Sequence, residues 1–130
     1  MILDSSAVVA VLRAEPEAPE FVRAIGASQS RHISAVNYVE TAIVIDGGKD
    51  AVASRRLDDF FRVSRIAIET VTPKQAELAR QAYRDFGKGR HKAGLNFGDC
   101  FAYALAKEMD EPLLFKGTDF ARTDVEVAEK

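Results

Sequence analysis

Four acidic residues stand at positions where carboxylates could act together. Asp4 ends a short apolar start, and Asp119 follows a second apolar run at residues 113–115. Asp99 lies in the first turn of a predicted helix that is apolar on nearly all sides, and Glu40 lies in the middle of another predicted helix. Because Asp and Glu are rarely buried without a partner, each position needs an explanation.

Each acid also has a simpler interpretation. Asp4 and Asp119 could cap the helices that follow them, since Asp is a preferred N-cap residue, and taken singly this is the stronger interpretation of both. Asn96 and Asp99 resemble a capping box, with Asn96 as the N-cap and Asp99 at N3. Glu40 cannot be a cap, because it lies in mid-helix among β-branched apolar neighbours. It either borders the buried stripe or points into a polar pocket.

Taken together, the four acids indicate more than any one of them. Two like charges about 4 Å apart repel by about 4 kcal/mol at an effective dielectric constant of about 20. Converging carboxylates would therefore be partly protonated or neutralised by a divalent cation. A set of oxygen ligands without His or Cys favours hard ions, Mg²⁺ or Mn²⁺. Such sites perform phosphoryl chemistry, in which the metal activates water and stabilises charge on the phosphate.

Other reactive side chains have weaker support. Cys100 could be a nucleophile, but no motif places His32 or His91 beside it, and a buried structural thiol is the better interpretation. The basic run at residues 88–92 could bind a phosphate backbone or could be a solvated loop. Three hydroxyl residues could hold a phosphate or a water molecule, or could simply form turns: Ser5, Ser6 and Thr118.

The elements that must position these residues alternate along the chain. Strands are predicted at residues 1–3, 31–34, 65–71, 113–115 and 125–127. Helices are predicted at residues 7–13, 16–27, 35–45, 49–65 and 73–86, and a further helix begins at Asn96. This alternation predicts a single α/β domain over residues 1–130, with a mostly parallel sheet of about five strands flanked by helices. Sites in such sheets lie at the carboxyl ends of the strands, where Asp4 and Asp119 stand.

Composition limits the classes of protein to consider. The chain has 130 residues, of which 47% are hydrophobic and 29% charged, and this balance is typical of a globular domain. No apolar run is long enough to span a bilayer, no signal peptide is recognisable, and the single cysteine excludes an internal disulfide, so we expect a cytoplasmic protein with no membrane partner. The net charge of −2 means that binding to nucleic acid would need a local basic patch or metal ions.

Four segments resemble the sequence of a PIN domain, in order and at family spacing over nearly the whole chain. They are residues 1–7, 33–40, 96–104 and 114–120. More closely, the chain resembles the VapC toxins of type II toxin–antitoxin systems. The run Gly-Lys-Gly-Arg-His at 87–91, followed by Leu-Asn-Phe-Gly-Asp-Cys at 95–100, is similar to one VapC subgroup in particular.

The resemblance implies an endoribonuclease that depends on Mg²⁺, with Mn²⁺ as a substitute. Its acids fall on Asp4, Glu40, Asp99 and Asp119, and Asp4 and Asp99 match the principal metal ligands. Glu40 and Asp119 would complete the set directly or through water. The implied mechanism is in-line attack of a metal-activated water on an RNA phosphodiester. The resemblance leaves open whether one metal or two take part.

The resemblance also implies partners. A small cognate antitoxin would mask the site, the chain would form a homodimer or a higher toxin–antitoxin assembly, and structured or translation-related RNA would be the substrate. The roles of Thr118, of Asp124 as an outer acid, and of the 88–92 loop with Arg122 in backbone binding remain open.

Four other functions compete with this one. A stand-alone PIN-type RNA-processing nuclease would use the same acids. A phosphoacceptor signalling domain would use Asp4, Thr118 and Lys116, but the 66–71 strand lacks the acceptor Asp that such a domain needs, and a haloacid dehalogenase-type phosphatase would need Asp where Ser6 stands. A metal-free binding module would need no convergence of the acids.

Overall fold

The computed structural model describes all residues from 1 to 130. Its four strands are β1 (Ile2–Leu3), β2 (Arg31–Ser34), β3 (Ile66–Glu69) and β4 (Leu113–Leu114). Its helices are α1 (Ser5–Leu12), α2 (Ala18–Ala27), α3 (Ala35–Asp46), α4 (Ala51–Val63), α5 (Pro73–Phe86) and α6 (Phe97–Met109), followed by a 3₁₀ turn at Phe120–Arg122. No helix combines the length and the apolar character that crossing a membrane requires.

The sheet is parallel throughout, in the order β3-β2-β1-β4. The central strand β1 pairs Ile2 with His32 on one side and with Leu113 on the other. Leu3 pairs with Leu114, and the backbone N–H of Asp4 donates to the Leu114 carbonyl at 3.0 Å. The α/β prediction is therefore confirmed, and the chain leaves β1 and β4 at the same edge of the sheet.

The predicted last strand, 125–127, is the main correction to the fold. Val127 forms only an isolated parallel bridge with Leu113. Two hydrogen bonds hold it: Leu113 N–H donates to the Glu126 carbonyl and Ala128 N–H donates to the Leu113 carbonyl, each at 2.9 Å. Because β4 is two residues long, it offers too short an edge for a longer ladder, and the sheet has four strands instead of about five.

Two hydrophobic clusters lie on opposite faces of the sheet. One contains Leu3 with Val8 of α1 and Phe21 of α2, and the other contains Ile2 with Leu105 of α6. Neighbouring residues of a strand point to opposite faces, so the two residues of β1 each belong to a different cluster. Both are fully buried. The sheet thereby holds α1 on one side and α6 on the other, with their N-termini near its carboxyl edge.

Candidate active site

Asp4 caps α1 with one carboxylate oxygen, and its other oxygen has no hydrogen-bond partner. Its Oδ2 accepts from the Ser6 backbone N–H at 3.0 Å, as the capping interpretation predicted. The Ser6 hydroxyl in turn accepts from the Lys116 N–H at 3.0 Å, which ties α1 to the chain after β4. Asp4 is 2% exposed, and its Oδ1 is buried without a hydrogen-bond partner. An unpaired buried carboxylate oxygen is costly, and a ligand at this position would explain it.

Asp99 likewise combines a capping role with a place in the site. The Asn96 side chain accepts from the Asp99 N–H at 2.9 Å, and Asp99 Oδ2 accepts from the Asn96 N–H at 3.0 Å, so the predicted capping box is confirmed. The positive end of the α6 dipole also favours a carboxylate here. The box anchors Asp99 rigidly in the first turn of α6, next to Asp4.

Glu40 points into a polar pocket between α3 and α6. Its Oε1 accepts from the Asn37 side-chain amide at 2.9 Å and from the Ser5 hydroxyl at 3.2 Å. Asn37 is fully buried and donates from the same nitrogen to the Gly98 carbonyl at 3.0 Å. A Cβ atom at Gly98 would collide with both carboxylate oxygens of Glu40. The absence of a side chain at Gly98 therefore leaves the space that the Glu40 carboxylate fills.

Three of the four predicted acids line one cavity. Asp4, Glu40 and Asp99 share this acidic cavity of about 400 Å³ with Arg13 and Lys116. Asp119 is not part of its lining, but its charge contributes to the electrostatics of Asp99. The side chains do not form a preassembled cluster of three or more metal ligands. Mg²⁺ binds through one or two carboxylates and retains several waters, so this donor set fits such an ion without a closed cage.

The electrostatics of the cavity disfavour several negative charges at once. Burial, followed by the charges of Asp4, Asp119 and Glu40, raises the pKa of Asp99 to about 7, against the opposing effect of its hydrogen bond from Asn96. Burial also raises the pKa of Asp4, and the nearby Glu40 charge adds to this effect, while hydrogen bonds from Ser6 oppose it. The cavity therefore attracts protons or a cation at neutral pH.

The raised pKa of Asp99 predicts how stability changes with pH in metal-free buffer. Between about pH 4 and pH 7 the folded protein holds a proton at Asp99 that the unfolded chain has lost, so stability falls as pH rises through this window. Partial exposure screens the charge, and we expect an effect on the order of 1 kcal/mol, or roughly 3–6 °C in Tm. Thermal melts at pH 5.5 and 8 with chelator should show this fall, and Asp99→Asn should reduce it. An equal fall in that variant would assign the effect to other groups.

The close approach of Gly98 and Glu40 gives a second prediction. In Gly98→Ala the new methyl group occupies the place of the Glu40 carboxylate, which must rotate away and lose its bonds to Asn37 and Ser5. On the role that the resemblance implies for Glu40, we expect at least about a tenfold loss of RNA cleavage, since misplacing a group that takes part in a reaction can cost about 100-fold. Tm should fall little, because the displaced atoms are the end of a flexible side chain. Gly26→Ala is the control, since nothing lies within 4 Å of a Cβ atom there. Equal activity of both variants would contradict this account.

Asn37 and Gly98 are the site residues that the sequence analysis missed. A signal existed for Asn37, because it lies three residues before Glu40 on the same face of α3 and is one of few polar residues there. For Gly98 the signal was weaker: a glycine inside the first turn of a helix, where it is unfavourable.

Other predicted candidates lie outside the cavity. Asp124 accepts from the Tyr103 hydroxyl at 2.6 Å and from Lys107 at 3.2 Å, so it forms a polar contact on the C-terminal half of α6. Its pKa is lowered by these two contacts. Thr118 is exposed and does not line the cavity. Burial raises the pKa of the Cys100 thiol to about 11, which agrees with a structural cysteine and argues against a nucleophile.

The basic loop is anchored to the domain. Arg122 donates to the Lys92 carbonyl at 3.0 Å, and the Arg90 guanidinium lies 5.6 Å from the centre of the Tyr83 ring. The ring of His91 packs edge-on against Phe86 at 5.3 Å between centroids. The loop thus presents its positive charges from a fixed position beside α5 and the start of α6.

Comparison with known proteins places this chain in a family. The sequence model of the PIN domain matches residues 1–126. The chain is 49% identical over 129 residues to the ribonuclease VapC28 of Mycobacterium tuberculosis, which covers 98% of this chain and 97% of that protein. It is 48% identical over 125 residues to the ribonuclease VapC of Mycolicibacterium smegmatis, and this alignment covers 96% of this chain and 97% of that protein.

Solved structures agree with the fold. Mycobacterium tuberculosis VapC20, described as a toxin that cleaves the sarcin-ricin loop, superposes with a TM-score of 0.70 at 22% identity and covers 98% of each chain. The VapBC2 complex of Rickettsia felis, solved with a DNA fragment from its promoter, gives a TM-score of 0.74 at 15% identity over 98% of this chain and 96% of that chain. With the family match over residues 1–126 and close relatives of nearly equal length, this chain belongs to the VapC family of PIN-domain ribonucleases.

Proposed function

We propose that this chain is a Mg²⁺-dependent endoribonuclease and the toxin of a type II toxin–antitoxin module of the VapBC kind. The observation that carries the metal dependence is the buried Oδ1 of Asp4, which has no hydrogen-bond partner in a residue that lines a cavity with Asp99 and Glu40. The ribonuclease activity is supported by relatives that are named ribonucleases and are 47–49% identical over almost the whole chain.

Each residue of the site has a proposed role. Asp4 and Asp99 would hold Mg²⁺, for which Mn²⁺ could substitute, and the bound ion would supply a nucleophilic water at neutral pH and stabilise charge on the phosphate. Glu40, fixed by Asn37 and Ser5, would orient that water and accept its proton. Asp119 would act from the margin of the cavity.

Basic groups beside the cavity would bind the RNA backbone. Arg13 lines the acidic cavity and is exposed, so its guanidinium can reach a phosphate there. Lys116 lines it too, but its ammonium group is engaged by Glu15 and Glu17 at 3.2 Å each. The loop at residues 88–92 offers further positive charge on the other side of Asn96.

The antitoxin would cover the site from α3. Val39, Ile43 and Val44 are 52%, 66% and 40% exposed, and Val44 also lines the acidic cavity. An exposed apolar strip next to a catalytic cavity is typical of a surface that a protein partner covers. We propose that a small antitoxin masks the site there, that the toxin assembles as a homodimer or as a larger toxin–antitoxin complex, and that it acts in the cytoplasm on RNA. Toxin–antitoxin complexes among the solved structures of the same fold support such an assembly.

Cleavage of a defined RNA panel by the purified chain tests the chemistry. We expect cuts at discrete positions with Mg²⁺ or Mn²⁺ and none with chelator. Cleavage that persists in chelator would refute the metal dependence, and intact RNA under all conditions would refute the nuclease. Expression of the chain in cells, with and without the product of the neighbouring reading frame, tests the toxin. Growth arrest relieved by that product is the expected result, whereas a stand-alone RNA-processing nuclease would cause no such relief.

A further inference from the structure

A second cavity lies directly beside the acidic one. It has a volume of about 570 Å³ and is mostly apolar, and it lies between α5 and the start of α6. Asn96 lines both cavities, so they are neighbours that share a wall at the start of α6, where Asp99 lies in the first turn. None of the four candidate acids lines this second cavity.

Three aromatic rings line this cavity, those of Tyr83, Phe97 and Phe101. Phe97 is 73% exposed, and its ring lies 4.9 Å from that of Phe101, measured between centroids. Tyr83 on the opposite wall is 45% exposed. Phe97 contacts Phe101 but is otherwise largely exposed at this cavity, so most of its ring is free to contact a ligand. Flat aromatic faces of this kind stack on nucleobases irrespective of sequence.

Positive charges surround the same cavity. Arg80 and Lys88 line it, and Arg90 lies over the Tyr83 ring. A purely apolar protein segment would need no such charge, whereas each nucleotide within an RNA chain has a negatively charged phosphate on either side of its ribose. Aromatic rings combined with basic side chains are the usual surface for single-stranded nucleic acid. The charge of the cavity rim therefore favours RNA over an apolar peptide.

We propose that this cavity binds one unpaired nucleobase of the RNA, next to the phosphodiester that is cut. The inference rests on the proposed ribonuclease function, because it places that phosphodiester in the acidic cavity across Asn96. The base stacks on Phe97, and its flanking phosphates contact Lys88 and Arg80. A nucleotide held in a duplex cannot enter the cavity without being extruded.

Variants of Phe97 test the proposal. Phe97→Ala should lower kcat/KM for a single-stranded oligoribonucleotide roughly 5- to 150-fold, the range expected for loss of one base–aromatic stack. Phe97→Tyr, which keeps the ring, should stay within about threefold of the unmodified protein. Val63→Ala is the matched control, because Val63 is 70% exposed on α4 and lines neither cavity. Two further substrates each carry an abasic nucleotide, one on the 5′ side and one on the 3′ side of the mapped cut. One of them should lower kcat/KM of the unmodified protein, because the stacked base is missing. The same substrate should leave kcat/KM of Phe97→Ala unchanged, because that variant has already lost the stack.

A binding measurement separates this proposal from the proposed function. In the Asp99→Asn background no cleavage interferes, and Phe97→Ala should weaken oligoribonucleotide affinity by a similar factor. Equal affinities with and without Phe97→Ala would overturn the assignment of the cavity to a base and leave the proposed nuclease function intact. The same conclusion would follow if the loss from Phe97→Ala and the loss from the abasic nucleotide were independent, so that their fold-changes multiply. A change of oligomeric state in Phe97→Ala with unchanged response to the abasic nucleotide would assign the cavity to a protein contact and also overturn the proposal. Intact RNA with the unmodified protein would refute the nuclease, and the affinity comparison would still decide whether the cavity holds a base.

Discussion

Replacing Asp4 or Asp99 by Asn is expected to lower RNA cleavage by about a thousandfold or more without unfolding the protein. The amide oxygen of Asn can still accept the hydrogen bond from Ser6 or from Asn96 that the carboxylate accepts now, so the cap of each helix is retained. What disappears is the negative charge and a strong ligand for Mg²⁺. A metal contributes several kcal/mol of transition-state stabilisation, which corresponds to three or more orders of magnitude in rate.

A matched control exists in the same chain. Asp50 caps α4 by accepting from the backbone N–H groups of Val52 and Ala53, and it is exposed and does not line the cavity. Asp50→Asn makes the same chemical change at an equivalent cap, and we expect it to leave cleavage unchanged. Circular dichroism and thermal melts would verify that all three variants fold, with Asp99→Asn at least as stable as the unmodified protein at pH 8. Full activity of Asp99→Asn would refute the assignment of the site.

Addition of Mg²⁺ or Mn²⁺ is expected to raise Tm, and chelator should reverse the rise. A ligand at about 100 times its Kd stabilises the folded state by about 2.7 kcal/mol, which corresponds to a rise of roughly 5–15 °C in a domain of this size. The rise should be larger at pH 8 than at pH 6, because the pKa of Asp99 is raised to about 7 and the ion must compete with a proton below that pH.

The position of the ion is tested by the same melts on variants. Asp4→Asn should lose most of the rise, since it removes the buried oxygen that has no other partner. Asp50→Asn should show the same metal-induced rise in Tm as the unmodified protein. An equal rise in Asp4→Asn would place the ion elsewhere on the protein, and no rise in any sample would favour a metal-free function for the cavity.

The fold class and the positions of Asp4 and Asp99 could be predicted from local patterns, whereas their assignment as the principal metal ligands comes from the family resemblance alone. Asp4 follows a buried strand and Asp99 completes a capping box, and both facts are readable within a few residues of sequence. Capping leaves room for a further role of Asp4, because one oxygen accepts the N–H of Ser6 and the other is buried without a partner.

The rest of the site depends on contacts between distant segments. Glu40 reaches the cavity only because α3 packs against α6 with Gly98 at the contact, 58 positions later in the chain, and no local pattern records that approach. The prediction of a fifth strand at 125–127 was wrong for a similar reason. This segment pairs with the distant β4, which is only two residues long, and it forms an isolated bridge there. Asp119 follows β4 as predicted, yet its side chain neither caps the 3₁₀ turn nor lines the cavity, and only its charge contributes, by raising the pKa of Asp99.

The two-residue strand β1 has a consequence for how this enzyme can diverge. Ile2 belongs to one core cluster and Leu3 to the other, and Asp4 follows immediately at the end of the strand. Repacking on either face of the sheet therefore shifts the carboxylate directly, with no intervening turn to absorb the movement. Core substitutions outside the cavity can therefore displace Asp4, so the packing of both helix layers constrains how the sequence can change.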